Sequence, residues 1–176
     1  MTTKTKIVLD ADVIIHFVKA GKFSLLLDIF PEYQYLILDV VYGEVTINKA
    51  TKTQIDNTLN FFPSRITNIK FDPKGESRRE YARLRNILLL GKGESACMVY
   101  CRDNNDVLGS SNLKDIREYC ANHQITYLTT VDFLYYAFVR KKMTKEEVDA
   151  FISEVISKRS KLPQIDIEKY VPTSMI

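Results

Sequence analysis

Ile7-Val8-Leu9-Asp10-Ala11-Asp12 is the stretch on which the fold turns. Consecutive apolar residues, without the alternation of a half-solvated strand, suit a parallel strand covered on both faces, and this run ends on an acid. Beyond it Val13, Ile14, Phe17 and Val18 have helical spacing, and Gly21 offers a stop. Asp12 is better placed than Asp10 to cap that helix. The unit is strand, acid, helix.

The same unit recurs outward from this stretch. A helical segment from Phe23 to Phe30 closes at Pro31, Tyr35-Leu36-Ile37-Leu38 reads as a second strand, and Val40 to Ile47 starts a helix carrying Glu44. Gln54 to Phe62 predicts a helix ending before Pro63, and Ile66 to Phe71 a third strand. Asp72-Pro73-Lys74-Gly75 is the clearest breaker. Ser77 to Leu90 then predicts a charged helix with Tyr81, Leu84 and Leu88 inward, and Gly93-Glu94 opens another running to about Cys101. Asp106 to Gly109 gives a brief strand, Ser110 to Asp115 leads into a helix ending near Asn122, and Ile125 to Leu128 is the last strand. His16 is expected to pack on the first helix and His123 to lie in a turn. Thr130 is expected to cap the next helix, and Thr144-Lys145-Glu146-Glu147 has the form of a capping box for the one after.

Strands alternating with helices predict an α/β fold: a three-layer open parallel sheet of four or five strands with right-handed crossovers. With no repeat or interior linker, residues 1–176 read as one domain with an irregular tail after about 160. In such sheets ligands bind beyond the carboxyl ends of the strands. That edge would receive Asp10 and the Ser110-to-Asp115 loop, with Glu44 and Glu94 entering from adjacent helix starts.

Composition excludes several classes. Hydrophobic residues at 45% and charged residues at 27% are a globular balance. The net charge, 25 − 22 = +3, does not by itself designate a nucleic-acid binder. Basic clusters at Arg78, Arg79, Arg83 and Arg85, at Arg140 to Lys142, and at Lys158, Arg159 and Lys161 fit either solvated helix faces or phosphate contacts. Cys97, Cys101 and Cys120 form neither a disulfide framework nor a zinc set, so buried thiols are expected. The polar start from Met1 to Lys6 is no signal peptide, and Phe133 to Val139 is far short of the ~20 residues that span a bilayer. A soluble cytoplasmic protein, away from membranes, is the expectation. Neither a G-x-S-x-G elbow nor a Gly-rich phosphate loop occurs.

Asp10, Glu44, Glu94 and Asp115 therefore stand out. Carboxylates brought within a few Å raise one another's pKa unless a positive charge compensates, and a hard divalent ion held by oxygen does this well.

The pattern resembles a PIN-domain ribonuclease from Ile7 to about Ile156. Val8-Leu9-Asp10-Ala11-Asp12 resembles the family's opening strand with its first metal-binding Asp, and Tyr42-Gly43-Glu44-Val45 the helix bearing the second acid. Gly93-Glu94-Ser95-Ala96 resembles the third motif, and Ser111-Asn112-Leu113-Lys114-Asp115 is similar to the N-x-x-D loop that supplies the last acid. Thr129 to Ala150 matches the family's closing pair of helices. Many members carry Asp at one or both positions matching Ser111 and Asn112. The neutral pair here leaves open whether Asp115 or a carbonyl oxygen of Asn112 completes the site, or whether a second metal is weakly held.

The resemblance implies Mg²⁺- or Mn²⁺-dependent hydrolysis of RNA phosphodiesters. Asp10, Glu94 and Asp115 would be the metal ligands, and Glu44 would orient or activate water. It also implies the toxin of a toxin-antitoxin pair, with a small antitoxin partner and a homodimer. Two rivals stand beside it. Asp10-x-Asp12 also imitates the haloacid-dehalogenase phosphatases, though Ile14 and the Gly109-Ser110-Ser111 strand end depart from them. A catalytically inactive RNA-binding or scaffold module of the same fold is the other.

Overall fold

The computed structural model describes residues 5–176 of the chain; the polar start at 1–4 lies outside them. Five strands form an all-parallel sheet in the order β3-β2-β1-β4-β5. They are β1 (Lys6–Leu9), β2 (Gln34–Leu38), β3 (Ile66–Ile69), β4 (Val107–Gly109) and β5 (Tyr127–Leu128). The apolar runs are short because each crosses a core covered on both faces: Ile7, Val8, Leu9, Ile37, Leu38 and Leu108 have no exposed surface.

The helices are α1 (Ala11–Lys19), α2 (Leu26–Ile29), α3 (Asp39–Val45), α4 (Lys49–Phe61), α5 (Gly75–Asn86), α6 (Lys92–Asn104), α7 (Leu113–His123), α8 (Thr130–Val139) and α9 (Lys145–Ser157). They flank the sheet as outer layers. The chain runs from β1 outward to β2 and β3, then returns to β4 and β5, so right-handed crossovers place α5, α6 and α7 opposite α1, α2 and α4. Packing agrees: α1 meets α4 and α9, α8 meets α2 and α9, and α6 meets α5 and α7. Short α3 touches both α1 and α6. On one face Phe17 packs edge-on against Phe133 and Phe151, and Phe30 against Phe133.

Several local expectations need correcting. Asp10, not Asp12, occupies the cap of α1 and accepts from Ala11 N, because the strand ends one residue before the helix begins. Thr129, not Thr130, caps α8 in a capping box with Asp132. Helix α4 begins at Lys49 rather than near Gln54, since Asn48 accepts from Thr51 N and starts it a full turn earlier. Helix α5 stops at Asn86 and Leu89 takes a left-handed φ of 56°, so Leu88 faces outward at 48% exposure instead of inward. His123 ends α7 and stacks on Tyr119 rather than lying in a turn. The three cysteines are free and buried. Among the described residues no helix is long and apolar enough to cross a membrane.

After Ser157 the chain has neither helix nor strand, yet it is anchored. Tyr170 OH and Thr173 N both donate to Asp132 Oδ1, at 2.9 and 2.7 Å.

A candidate carboxylate site at the strand ends

Strand order reverses between β1 and β4, and a crevice opens beyond the carboxyl ends of strands at such a point. Asp10 follows β1 there and Ser110 follows β4. The two strands are tied past their ends by Asp10 N donating to Gly109 O at 2.8 Å and Ser110 Oγ to Asp10 Oδ2 at 3.0 Å. Gly109 allows this close approach: a Cβ on it would stand 3.2 Å from Leu9 Cδ2 and 3.4 Å from Val8 O, so these neighbours would have to give by a few tenths of an ångström.

Asp12 lies in the first turn of α1. Its Oδ1 accepts from Val13 N at 2.6 Å and its Oδ2 from Ser111 N at 2.7 Å, so it pins the loop after β4. The loop is fixed from behind as well. Ser111 Oγ accepts from Thr130 N at 2.8 Å and lies 2.9 Å from Thr130 Oγ1, which is 2.8 Å from His16 Nδ1. Burial, aided by the Lys19 charge, lowers His16 to about 4, so it is a neutral spacer in this network rather than a base.

Glu94 enters from the first turn of α6, 8% exposed. Asn112 Nδ2 donates to Glu94 Oε1 and to Asp115 Oδ2, both at 2.8 Å, and so bridges two carboxylates. Glu44 comes from α3, and its Oε1 accepts from Gly93 N at 3.0 Å. A Cβ at position 93 would fall 2.7 Å from Glu44 Oε2 and 3.0 Å from Val41 Cγ2, which is why glycine precedes Glu94.

The electrostatics follow from crowding of like charges in a dry place. Burial, then the neighbouring Asp12 charge and more weakly Glu94, push Asp10 up to about 8. Burial, then Asp115 and Asp12, push Glu94 up to about 7, against the Asn112 hydrogen bond. Burial also raises Asp12, opposed by its backbone hydrogen bonds. No salt bridge among the described residues includes Asp10, Asp12, Glu44, Glu94 or Asp115.

Asp10, Glu94 and Asp115 thus share one electrostatic neighbourhood, and Glu44 joins it through Gly93. Sequence reading missed Asp12 as a member, although its place two residues after Asp10 was a usable signal. Among the described residues no three His, Cys, Asp or Glu side chains form a ready-made metal cage, so the acids are neighbours rather than a closed ligand set. The donor chemistry is nonetheless all oxygen and anionic, which suits a hard dication.

No protein-family model matches the chain, and no curated protein matches it. Among solved structures it is similar to a chain in the crystal structure of VapBC2 from Rickettsia felis bound to a DNA fragment from their promoter. The two are 16% identical, the match covers 71% of this chain and 98% of that one, and the TM-score is 0.52. The likeness is one of fold.

Proposed function

We propose that the chain is a single PIN-like domain acting as a metal-dependent endoribonuclease. The observation that carries the reading is the gathering of Asp10, Asp12, Glu94 and Asp115 at the strand-order switch, with Asp10 and Glu94 raised by burial and like charge and, among the described residues, in no salt bridge. A bound Mg²⁺ or Mn²⁺ would supply a water of lowered pKa and neutralise phosphate charge. Asp10, Glu94 and Asp115 would hold it. Asn112 keeps Glu94 and Asp115 together, and an amide turned about its last torsion offers an oxygen where it offered a nitrogen. Asp12 and Ser110 orient the loop and Asp10. Glu44, exposed and tethered to Gly93 N, is placed to position water at the rim.

The likeness to VapBC2 supports a further step, the toxin of a toxin-antitoxin pair with a small antitoxin partner, a homodimeric state and a cytoplasmic location. One observation favours a second reading, an inactive RNA-binding module: the Asn112 nitrogen already occupies the place between two acids.

The test is cleavage of RNA with Mg²⁺ or Mn²⁺ by the native chain, Asp10→Asn and Glu94→Gln. Each variant is expected to lose roughly a hundredfold or more, the scale on which one stabilising contact at a reacting centre acts. Full cleavage by both variants would reject the site. No cleavage by the native chain, with no Mn²⁺-induced rise in Tm, would favour the inactive module.

A further inference from the structure

The loop after β3 emerges at the same sheet edge as the carboxylates, because Leu38 pairs with Ile69 and Phe71 N donates to Asp39 Oδ1 at 2.9 Å just past β2. Two hollows flank this loop. One, about 550 Å³, is lined by Asp72, Pro73, Lys74, Gly75, Arg78 and Tyr81; the other, about 420 Å³, reaches Lys70, Ser77 and Tyr100. Tyr81 and Phe71 pack edge to face with centroids 5.2 Å apart, which fixes the Tyr81 ring while leaving it partly exposed. Burial holds the Tyr81 phenol above its ordinary range; Arg85 opposes this, and the negative Glu44 and Asp39 add to it. The ring is thus within electrostatic reach of Glu44 and Asp39.

The basic residues here are not consumed by the fold. Lys70 and Arg78 form no salt bridge among the described residues, and Lys74 makes only a long, exposed 3.7 Å contact with Asp72. In each of the two other clusters one residue is engaged. Arg140 Nη1 lies 2.7 Å from Glu32 and its guanidinium sits over Phe30, while Lys158 pairs with Glu154. A braced aromatic ring beside unpaired cations is how single strands are gripped, with stacking for the base and charge for the phosphate. A rigid duplex would have no splayed base to offer the ring.

We infer that the hollow between Tyr81, Lys74 and Arg78 is a subsite for one nucleotide of single-stranded RNA, its base on Tyr81 and its flanking phosphates on Arg78 and Lys74, as the strand leaves the carboxylate site. This subsite rests on the ribonuclease reading and extends it to a strand direction across α5. Lys70 serves the phosphate next along.

Binding separates the two claims, because it can be read without catalysis. A labelled single-stranded RNA is titrated with the full chain in EDTA, by fluorescence anisotropy over a range of salt, beside the matching DNA and duplex RNA. Tyr81→Ala and Arg78→Ala are each expected to weaken RNA binding about tenfold, with Arg78→Ala reducing the salt slope by about one. Tyr81→Phe, which keeps the ring, should bind as the native chain does, and Arg159→Ala serves as a remote charge control. Melting curves show that each variant is folded. Native binding unchanged in Tyr81→Ala and Arg78→Ala, an equal loss in Arg159→Ala, tighter binding of duplex than single strand, or no RNA binding at all would overturn the subsite. Cleavage by the native chain in any of those cases would leave the ribonuclease reading intact.

Discussion

Asp10 at the carboxyl end of β1 and Asp106 at the amino end of β4 are buried to nearly the same degree, 5% and 4% exposed, yet their surroundings differ in sign. Asp106 Oδ1 accepts from Lys6 N at 2.8 Å, and the Lys6 charge draws its pKa down against the burial that raises it. It staples the start of β1 to the start of β4. Asp10 instead has Asp12 and Glu94 for company, and both push its pKa further up. A third buried acid, Asp132, has no exposed surface and accepts from Thr129 N, Thr129 Oγ1, Tyr170 OH and Thr173 N. Burial alone therefore marks no site. What sets Asp10 apart is unrelieved like charge, at the edge where ligands of such sheets bind.

The contrast makes its largest prediction at Asp132. Asp132→Ala strands two backbone N–H groups and two hydroxyls, and each unsatisfied buried group costs roughly 1–3 kcal/mol. A loss of roughly 3 kcal/mol or more is expected, a fall in Tm of roughly 6–12 °C for a chain of this size. Thermal denaturation measures it. A shift under about 2 °C would mean that the four hydrogen bonds do not anchor the tail and that Asp132 is no structural counterpart to Asp10.

The second prediction concerns pH. Asp10 has a folded pKa of about 8 against an ordinary 3.8, so its stabilising share is full below about pH 4 and is lost as pH rises toward 8. Asn at this position mimics the protonated form throughout. In EDTA, the Tm of Asp10→Asn should match the native chain near pH 4 and exceed it by a widening margin up to pH 8. Added Mn²⁺ should close that margin by stabilising the native chain alone. A constant difference across this range would show that Asp10 is not held under like charge.

The sheet was legible because buried parallel strands have a signature that needs no partner: Val8, Leu36 and Leu108 sit in continuous apolar runs. The places of Asp10 and of the Ser110 loop were legible too, since each follows directly on a strand. Caps were less so. The sequence Thr129-Thr130 offers two hydroxyls, and only the backbone angle at residue 129 decides which one bonds Asp132 N. Leu88 misled because its apolar character continued the α5 pattern past Asn86, where the chain turns at Leu89. The role of Asn112 was hidden for a different reason. Its contact with Asp115 is local to the start of α7, but its contact with Glu94, 18 positions away, depends on how α6 and α7 pack, which no local pattern encodes.

The smallest expected effect belongs to Asp106→Asn. The amide keeps an oxygen for Lys6 N, so the staple between β1 and β4 survives. What changes is the second oxygen, buried without a hydrogen-bond partner, which becomes an equally unpartnered NH₂. Removing the raised carboxyl and losing its attraction to Lys6 act in opposite directions. The net change should stay within about 1 kcal/mol, the range of a single hydrogen bond. RNA cleavage and the Mn²⁺-induced rise in Tm should stay within about twofold of the native chain, because Asp106 lies at the amino end of the sheet, beside a hollow of about 340 Å³ that also takes in Arg102 and His123. An Asp106→Asn variant that lost cleavage while melting normally would move the chemistry to that end of the sheet, and the distinction between the two aspartates would fail.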